Sequence, residues 1–101
     1  MGITAVLETE EGKPVATVED PTNVLHRILP ADDPKYPCLR CIDWYGDTAF
    51  NYLQAPQFIA EWETLKREPD DAEVHRVVEG IRKLAQQLQN ERHLYLKFYG
   101  D

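Results

Sequence analysis

The apolar positions change period along the chain, and each change marks an element. From Ile3 to Thr9 they alternate, with Ile3, Ala5 and Leu7 on one side and Thr4, Val6 and Glu8 on the other, which is the period of a β-strand. Glu10-Glu11-Gly12-Lys13 is a polar turn, and Val15 to Val18 supplies a second short strand, so the two form a hairpin. Pro14 has no N–H for a ladder, which places that second strand at an edge or after a bulge. Val24, Leu25 and Ile28 then share a helical face. Asp20 is expected to cap this helix, Pro21 to be its first residue and Pro30 to stop it. The run from Pro30 to Pro37 holds three prolines and two aspartates and reads as a stiff connector.

The stretch Tyr36 to Gln54 is dense in aromatic residues and contains both cysteines. Its pattern predicts strands over Cys38–Ile42 and Thr48–Leu53, joined by a turn at Asp43-Trp44-Tyr45-Gly46-Asp47. In that turn Gly46 is expected at positive φ, and Asp43 and Asp47 are expected to accept backbone N–H groups. Pro56 opens a helix running to Lys66, with Phe58, Ile59, Trp62 and Leu65 inward and Glu61, Glu63, Lys66 and Arg67 outward. Glu68-Pro69-Asp70-Asp71 breaks the chain, and Asp70 with Glu73 has capping-box spacing. Val74, Val77, Val78, Ile81, Leu84, Ala85 and Leu88 then form the longest helical stripe, with Glu79 and Lys83 paired outside it and Gly80 either packing closely or idle. His93–Tyr99 is a last strand with Leu94, Leu96 and Phe98 on one side and Tyr95, Lys97 and Tyr99 on the other. Substantial residues on both sides put it inside the sheet. The order ββαββααβ predicts a single α+β domain over residues 1–101. Its sheet is antiparallel or mixed, of about five strands, with a helix pair packed on one face.

Charge narrows the function more than composition does. The chain carries 18 acidic against 11 basic side chains, a formal net charge of −7, which argues against nucleic acid and suits a basic protein partner. Two cysteines are too few to build a disulfide scaffold. The first residues lack a signal-peptide pattern, and no apolar run reaches the ~20 residues that cross a bilayer. A cytoplasmic protein without membrane contact is expected.

Candidate chemistry is sparse. Cys38-Leu39-Arg40-Cys41 is a CxxC without the second pair a zinc site needs. On a strand its two sulfurs would face opposite sides, so structural cysteines and no metal are expected. His26, His75 and His93 have no metal spacing, although a cysteine with one of them could form a nucleophilic dyad. His75 stands four residues after Asp71, as in a surface pair. The five glycines are scattered, so no phosphate loop and no cofactor site is expected. Trp44 and Tyr45 are adjacent at a turn and cannot both enter one core. They are either interface anchors or part of a side cluster with Tyr36 and Pro37. Asp43 and Asp47 flank them as binding carboxylates or as self-satisfied turn residues. The acidic residues Asp32, Asp33, Glu61, Glu63, Glu68, Asp70, Asp71 and Glu73 could form one surface at the helix–helix corner.

Three runs, DPTNVLHRILP from Asp20, YGDTAFN from Tyr45 and HLYLKFYGD at the C-terminus, give the chain a resemblance to small bacterial proteins, some of the toxin-immunity type. The resemblance implies a non-enzymatic binding role and assigns no functional residue. The combined expectation is a protein-binding domain, an immunity or inhibitor protein in its most specific form. It would use Trp44, Tyr45, Asp43, Asp47, Asp70 and Asp71 against a basic protein partner. A small enzyme with a cysteine–histidine or carboxylate site, and a self-associating structural subunit, are the alternatives.

Overall fold

The alternating run at the C-terminus occupies the middle of the sheet, as its two-sided composition predicts. A computed structural model describes residues 2–30, 32–67 and 71–100. In it, β1 is Thr4–Thr9, β2 Pro14–Val18, α1 Val24–Ile28, β3 Asp47–Phe50, α2 Ala55–Trp62, α3 Ala72–Asn90 and β4 Leu94–Tyr99, with a 3-10 helix at Leu39–Cys41. The four strands form an antiparallel sheet in the order β2-β1-β4-β3. The α+β class is as expected, but the sheet has four strands and the chain order is ββαβααβ. The missing strand is Cys38–Ile42.

Helix α3 lies across β4, β1 and β2, and α1 and α2 pack against α3, so the helical layer covers one face of the sheet. All seven residues of the α3 stripe are buried, and its valine, isoleucine and leucine side chains each contribute ~1.5–3 kcal/mol by leaving water. The sheet contributes Ala5, Leu7, Phe50, Leu94, Leu96 and Phe98 to the same core. Phe50, Phe58, Phe98 and Trp62 form an aromatic cluster at its centre. The Trp62 indole N–H donates to the Val78 carbonyl at 3.1 Å and fixes α2 against α3. Gly80 permits close packing: a Cβ there would stand 2.9 Å from Val18 Cγ2. β2 is an edge strand, and the register shifts between Leu7 and Glu8, opposite Pro14.

Several local expectations are corrected, each for a visible reason. Cys38, Leu39 and Ile42 are the buried residues of their segment, a helical spacing and not the alternation of a strand. The backbone turns there because the Glu61 carboxylate accepts two of its N–H groups. Cys38 N–H donates to Oε1 at 3.0 Å and Oε2 at 3.1 Å, and Leu39 N–H to Oε1 at 2.9 Å. Glu61 is therefore buried, at 4% exposure, where an outward-facing residue was expected. β3 ends at Phe50 because Asn51 and Gln54 hold each other's backbone. Asn51 Oδ1 accepts from Leu53 and Gln54, and Gln54 Oε1 accepts from Asn51 at 2.8 Å. This is capping-box reciprocity ahead of α2. α2 stops before Lys66 because the Thr64 hydroxyl donates to the Glu61 carbonyl at 2.8 Å.

The short helix also starts later than expected. Its N-cap is Asn23, in the left-handed region at φ 59°. Asp20 caps it from outside, its oxygens accepting Val24 N–H at 2.7 Å and Leu25 N–H at 2.8 Å. The N-cap of α3 is Asp71, which accepts Val74 N–H at 2.9 Å. The expected Asp70 cap lies outside the described residues. Glu79 pairs with Arg82 at 3.1 Å and Arg67 at 3.5 Å, where a pair with Lys83 was expected.

Glu61→Ala is expected to destabilise the fold by about 2–4 kcal/mol, since it leaves two backbone donors without an acceptor. Glu61→Gln keeps one acceptor oxygen and should cost less than half as much. Denaturant titration of both variants checks this; a Glu61→Ala midpoint equal to wild type would contradict the role given to Glu61.

Candidate functional site

The turn between the 3-10 helix and β3 is built from its own polar groups. Asp43 N–H donates to Thr48 Oγ1 at 2.9 Å, and the Thr48 hydroxyl donates to the Cys41 carbonyl at 3.3 Å. Tyr45 N–H donates to Asp43 Oδ1 at 2.8 Å, the geometry of an Asx turn. From the far end of the chain, Gly100 N–H donates to the Gly46 carbonyl at 2.8 Å. A Cβ on Gly100 would fall on the Trp44 carbonyl and stand 2.8 Å from the Asp43 carbonyl oxygen. Glycine at position 100 therefore lets β4 close against the turn. Gly46 does not take the expected positive φ; among described glycines only Gly12 does, at 85°. The constraint at Gly46 is space instead, because a Cβ would stand 2.7 Å from Asp43 Oδ2.

Trp44 and Tyr45 part company here. Trp44 is half-buried, packed on the core, with its ring edge-on to His26 at a centroid distance of 4.3 Å. Tyr45 is 80% exposed. Asp47 is exposed on β3 opposite Tyr99. Its carboxylate makes no hydrogen bond or ion pair among the described residues.

Asp47 also begins a second surface. The sheet face away from the helices carries Thr4, Val6, Glu8, Thr17, Ala49, Tyr95, Lys97 and Tyr99, by the strand registers. Its centre is a polar cluster. Glu8 accepts from the Tyr99 hydroxyl and pairs with Lys97 Nζ at 3.1 Å. Glu8 is 6% exposed and Val6 on the same face 8%, although both point away from the helices. The hydrogen bond to Glu8, then burial, then the charge of Glu8 raises the Tyr99 pKa, with a small contribution from Asp47. The hydrogen bond to Glu8 likewise raises the Lys97 pKa. In the sequence, the outward set Tyr95, Lys97 and Tyr99 is the signal for this surface, and the same set equally marks an interior strand.

The acidic corner expected around the helices does not form as one free surface. Glu61 holds the 3-10 helix, and Asp71 caps α3 without a hydrogen bond to the turn. Asp32 pairs with Arg40 at 2.6 Å, Glu63 with Arg82 at 2.8 Å and Glu73 with Arg76 at 2.7 Å. Asp33 Oδ1 accepts Lys35 N–H. Glu68 and Asp70 lie outside the described residues. Of the six expected binding residues, the structure brings together Asp43, Trp44, Tyr45 and Asp47.

Among the described residues neither cysteine makes a hydrogen bond to a histidine. Cys38 is buried and Cys41 exposed. Burial first, and then the charge of Glu61 and its hydrogen bond, pushes the Cys38 thiol up to about 11. No group of three or more His, Cys, Asp or Glu among the described residues is placed to hold a metal ion. No described helix is long and apolar enough to cross a membrane. A half-open cleft of about 400 Å³ beside the connector is lined by Arg27, Ile28, Pro30, Tyr36, Thr64, Leu65 and Lys66, with neither cysteine nor histidine. No protein-family model, curated protein or solved structure matches the chain.

Gly100→Ala should destabilise by about 1–3 kcal/mol, because backbone must shift to admit the methyl group. Gly46→Ala should cost less, since only the end of the Asp43 side chain must move. Thermal or urea unfolding of the pair tests the ranking; Gly46→Ala as the more damaging substitution would reverse this account of the turn.

Proposed function

We propose that the chain is a non-enzymatic protein-binding domain whose contact surface is the Tyr45 tip together with the adjoining Asp47–Tyr99 row of the open sheet face. The observation that carries the reading is Tyr45 itself. A tyrosine 80% exposed is held at the tip of a turn tied to the 3-10 helix, β3 and the end of β4. Exposed tyrosines are favoured anchors, and a preformed turn lowers the entropy lost on binding. Asp47 beside it is an uncompensated negative charge, whereas Glu8 is offset by Lys97.

With a net charge of −7, this supports a basic protein partner. An immunity or inhibitor role is the most specific form of the proposal. It is supported by the resemblance of the three sequence runs and by the acidity. Two free cysteines fit a reducing, cytoplasmic setting.

Trp44 acts from behind as support for the turn, so Tyr45 is the cleaner probe of binding. Binding kinetics with the products of adjacent genes, captured on a sensor surface, test the proposal. Tyr45→Ala should speed dissociation about tenfold or more, or ~1.4 kcal/mol. Asp47→Asn should slow association at low salt and have little effect once charges are screened. A partner that binds while Tyr45→Ala leaves its dissociation unchanged would remove the tip from the interface.

A further inference from the structure

We infer that Cys38 and Cys41 form a dithiol site that exchanges with small-molecule disulfides of the glutathione class and closes to an intramolecular disulfide. The expected strand would have set these sulfurs on opposite faces; the observed turn does the reverse. Cys41 N–H donates to the Cys38 carbonyl at 3.0 Å, so the cysteines stand at the two ends of one 3-10 turn, where residues i and i+3 eclipse. A turn closed in this way keeps its end Cα atoms within about 7 Å, and disulfides span about 4.4–6.8 Å. The Cys41 thiol reaches back along the turn and donates to the Pro37 carbonyl at 3.3 Å, which sets its sulfur over the Cys38 end. The charge of Cys41 contributes to holding the Cys38 thiol protonated. Both cysteines are free, one exposed and one buried. Neither cysteine belongs to the binding surface proposed above, although the Cys41 carbonyl receives the Thr48 hydroxyl at the base of its turn.

The division of exposure sets the order of events. Exposed Cys41 loses its proton to solvent, and its thiolate attacks one sulfur of oxidised glutathione, forming a mixed disulfide and releasing one glutathione thiolate. Cys38 then loses its proton, and its thiolate attacks the Cys41 sulfur, expelling the second glutathione. Two protein thiols and one glutathione disulfide become one protein disulfide and two reduced glutathiones. The protein gives up two electrons, which the glutathione disulfide receives. Cys38 is the slow partner because its thiolate is scarce at neutral pH.

Intact-mass spectrometry of the folded protein treated with oxidised glutathione and quenched in acid tests the inference. Wild type should pass through a single glutathione adduct and end with two hydrogens lost. Cys38→Ser and Cys38→Ala should both stop at the adduct, and Cys41→Ser should stay unmodified over the same time. The resolving step should accelerate about tenfold per pH unit from neutrality toward the Cys38 pKa of about 11. A wild-type adduct that persists unresolved, or a disulfide that forms only after urea is added, would overturn the inference.

Discussion

The buried Glu61 carboxylate is the contact on which the arrangement of the chain between the β1–β2 hairpin and β3 depends. It sits on α2 and accepts backbone N–H groups from Cys38 and Leu39, while Gln57 Nε2 donates to it at 2.8 Å. Helix starts carry N–H groups with no partner inside the helix, and a buried one without an acceptor is costly. A carboxylate answers that need better than a neutral group, because charge-assisted hydrogen bonds are the stronger kind. No cation pairs with Glu61 among the described residues, so backbone dipoles and an amide supply its compensation. The contact joins a segment without regular strands to the helical layer, and it does so across a separation of 22 or 23 residues.

The turn downstream of that anchor inherits its position. The 3-10 helix ends at Cys41, whose carbonyl receives the Thr48 hydroxyl, and the same Thr48 oxygen receives Asp43 N–H. The turn is thus fixed from its start by Glu61 and α2, and from its end by β3 and Gly100. Trp44 fills the space behind it against His26 and the core. Tyr45 has no inward site left, so its exposure results from the turn's construction. The open sheet face continues from Asp47 through Tyr99, and the Glu8–Lys97–Tyr99 cluster keeps a buried carboxylate paired there. Surface exposure and internal satisfaction come from the same set of contacts.

The parts of the fold that sequence revealed are those governed by one dominant period. The α3 stripe, the β1–β2 hairpin with Pro14 near its edge, and the interior place of β4 all derive from spacing alone. Contacts between distant residues were not legible. Nothing local to Glu61 distinguishes it from Glu63, which is exposed and paired with Arg82. Only the arrival of Cys38 and Leu39 makes one of them a buried acceptor. Other departures from the expected strands are local and have signals in the sequence: the helical spacing of Cys38, Leu39 and Ile42, and the Asn51/Gln54 pair that ends β3. In the candidate site, sequence showed that Trp44 and Tyr45 could not both be buried, but not which would turn outward. That choice depends on His26 and Gly100, far off in the chain.

The central claim is that the Glu61 contact makes the Cys38–Asp47 segment a fixed platform. Native-state hydrogen exchange at individual amides tests it most directly. The Cys38, Leu39 and Tyr45 amides should be protected by amounts approaching those of α2, and Glu61→Ala should release Cys38 and Leu39 preferentially while the α3 amides stay protected. Cys38 and Leu39 amides exchanging at unfolded-chain rates in the wild-type protein would contradict the claim.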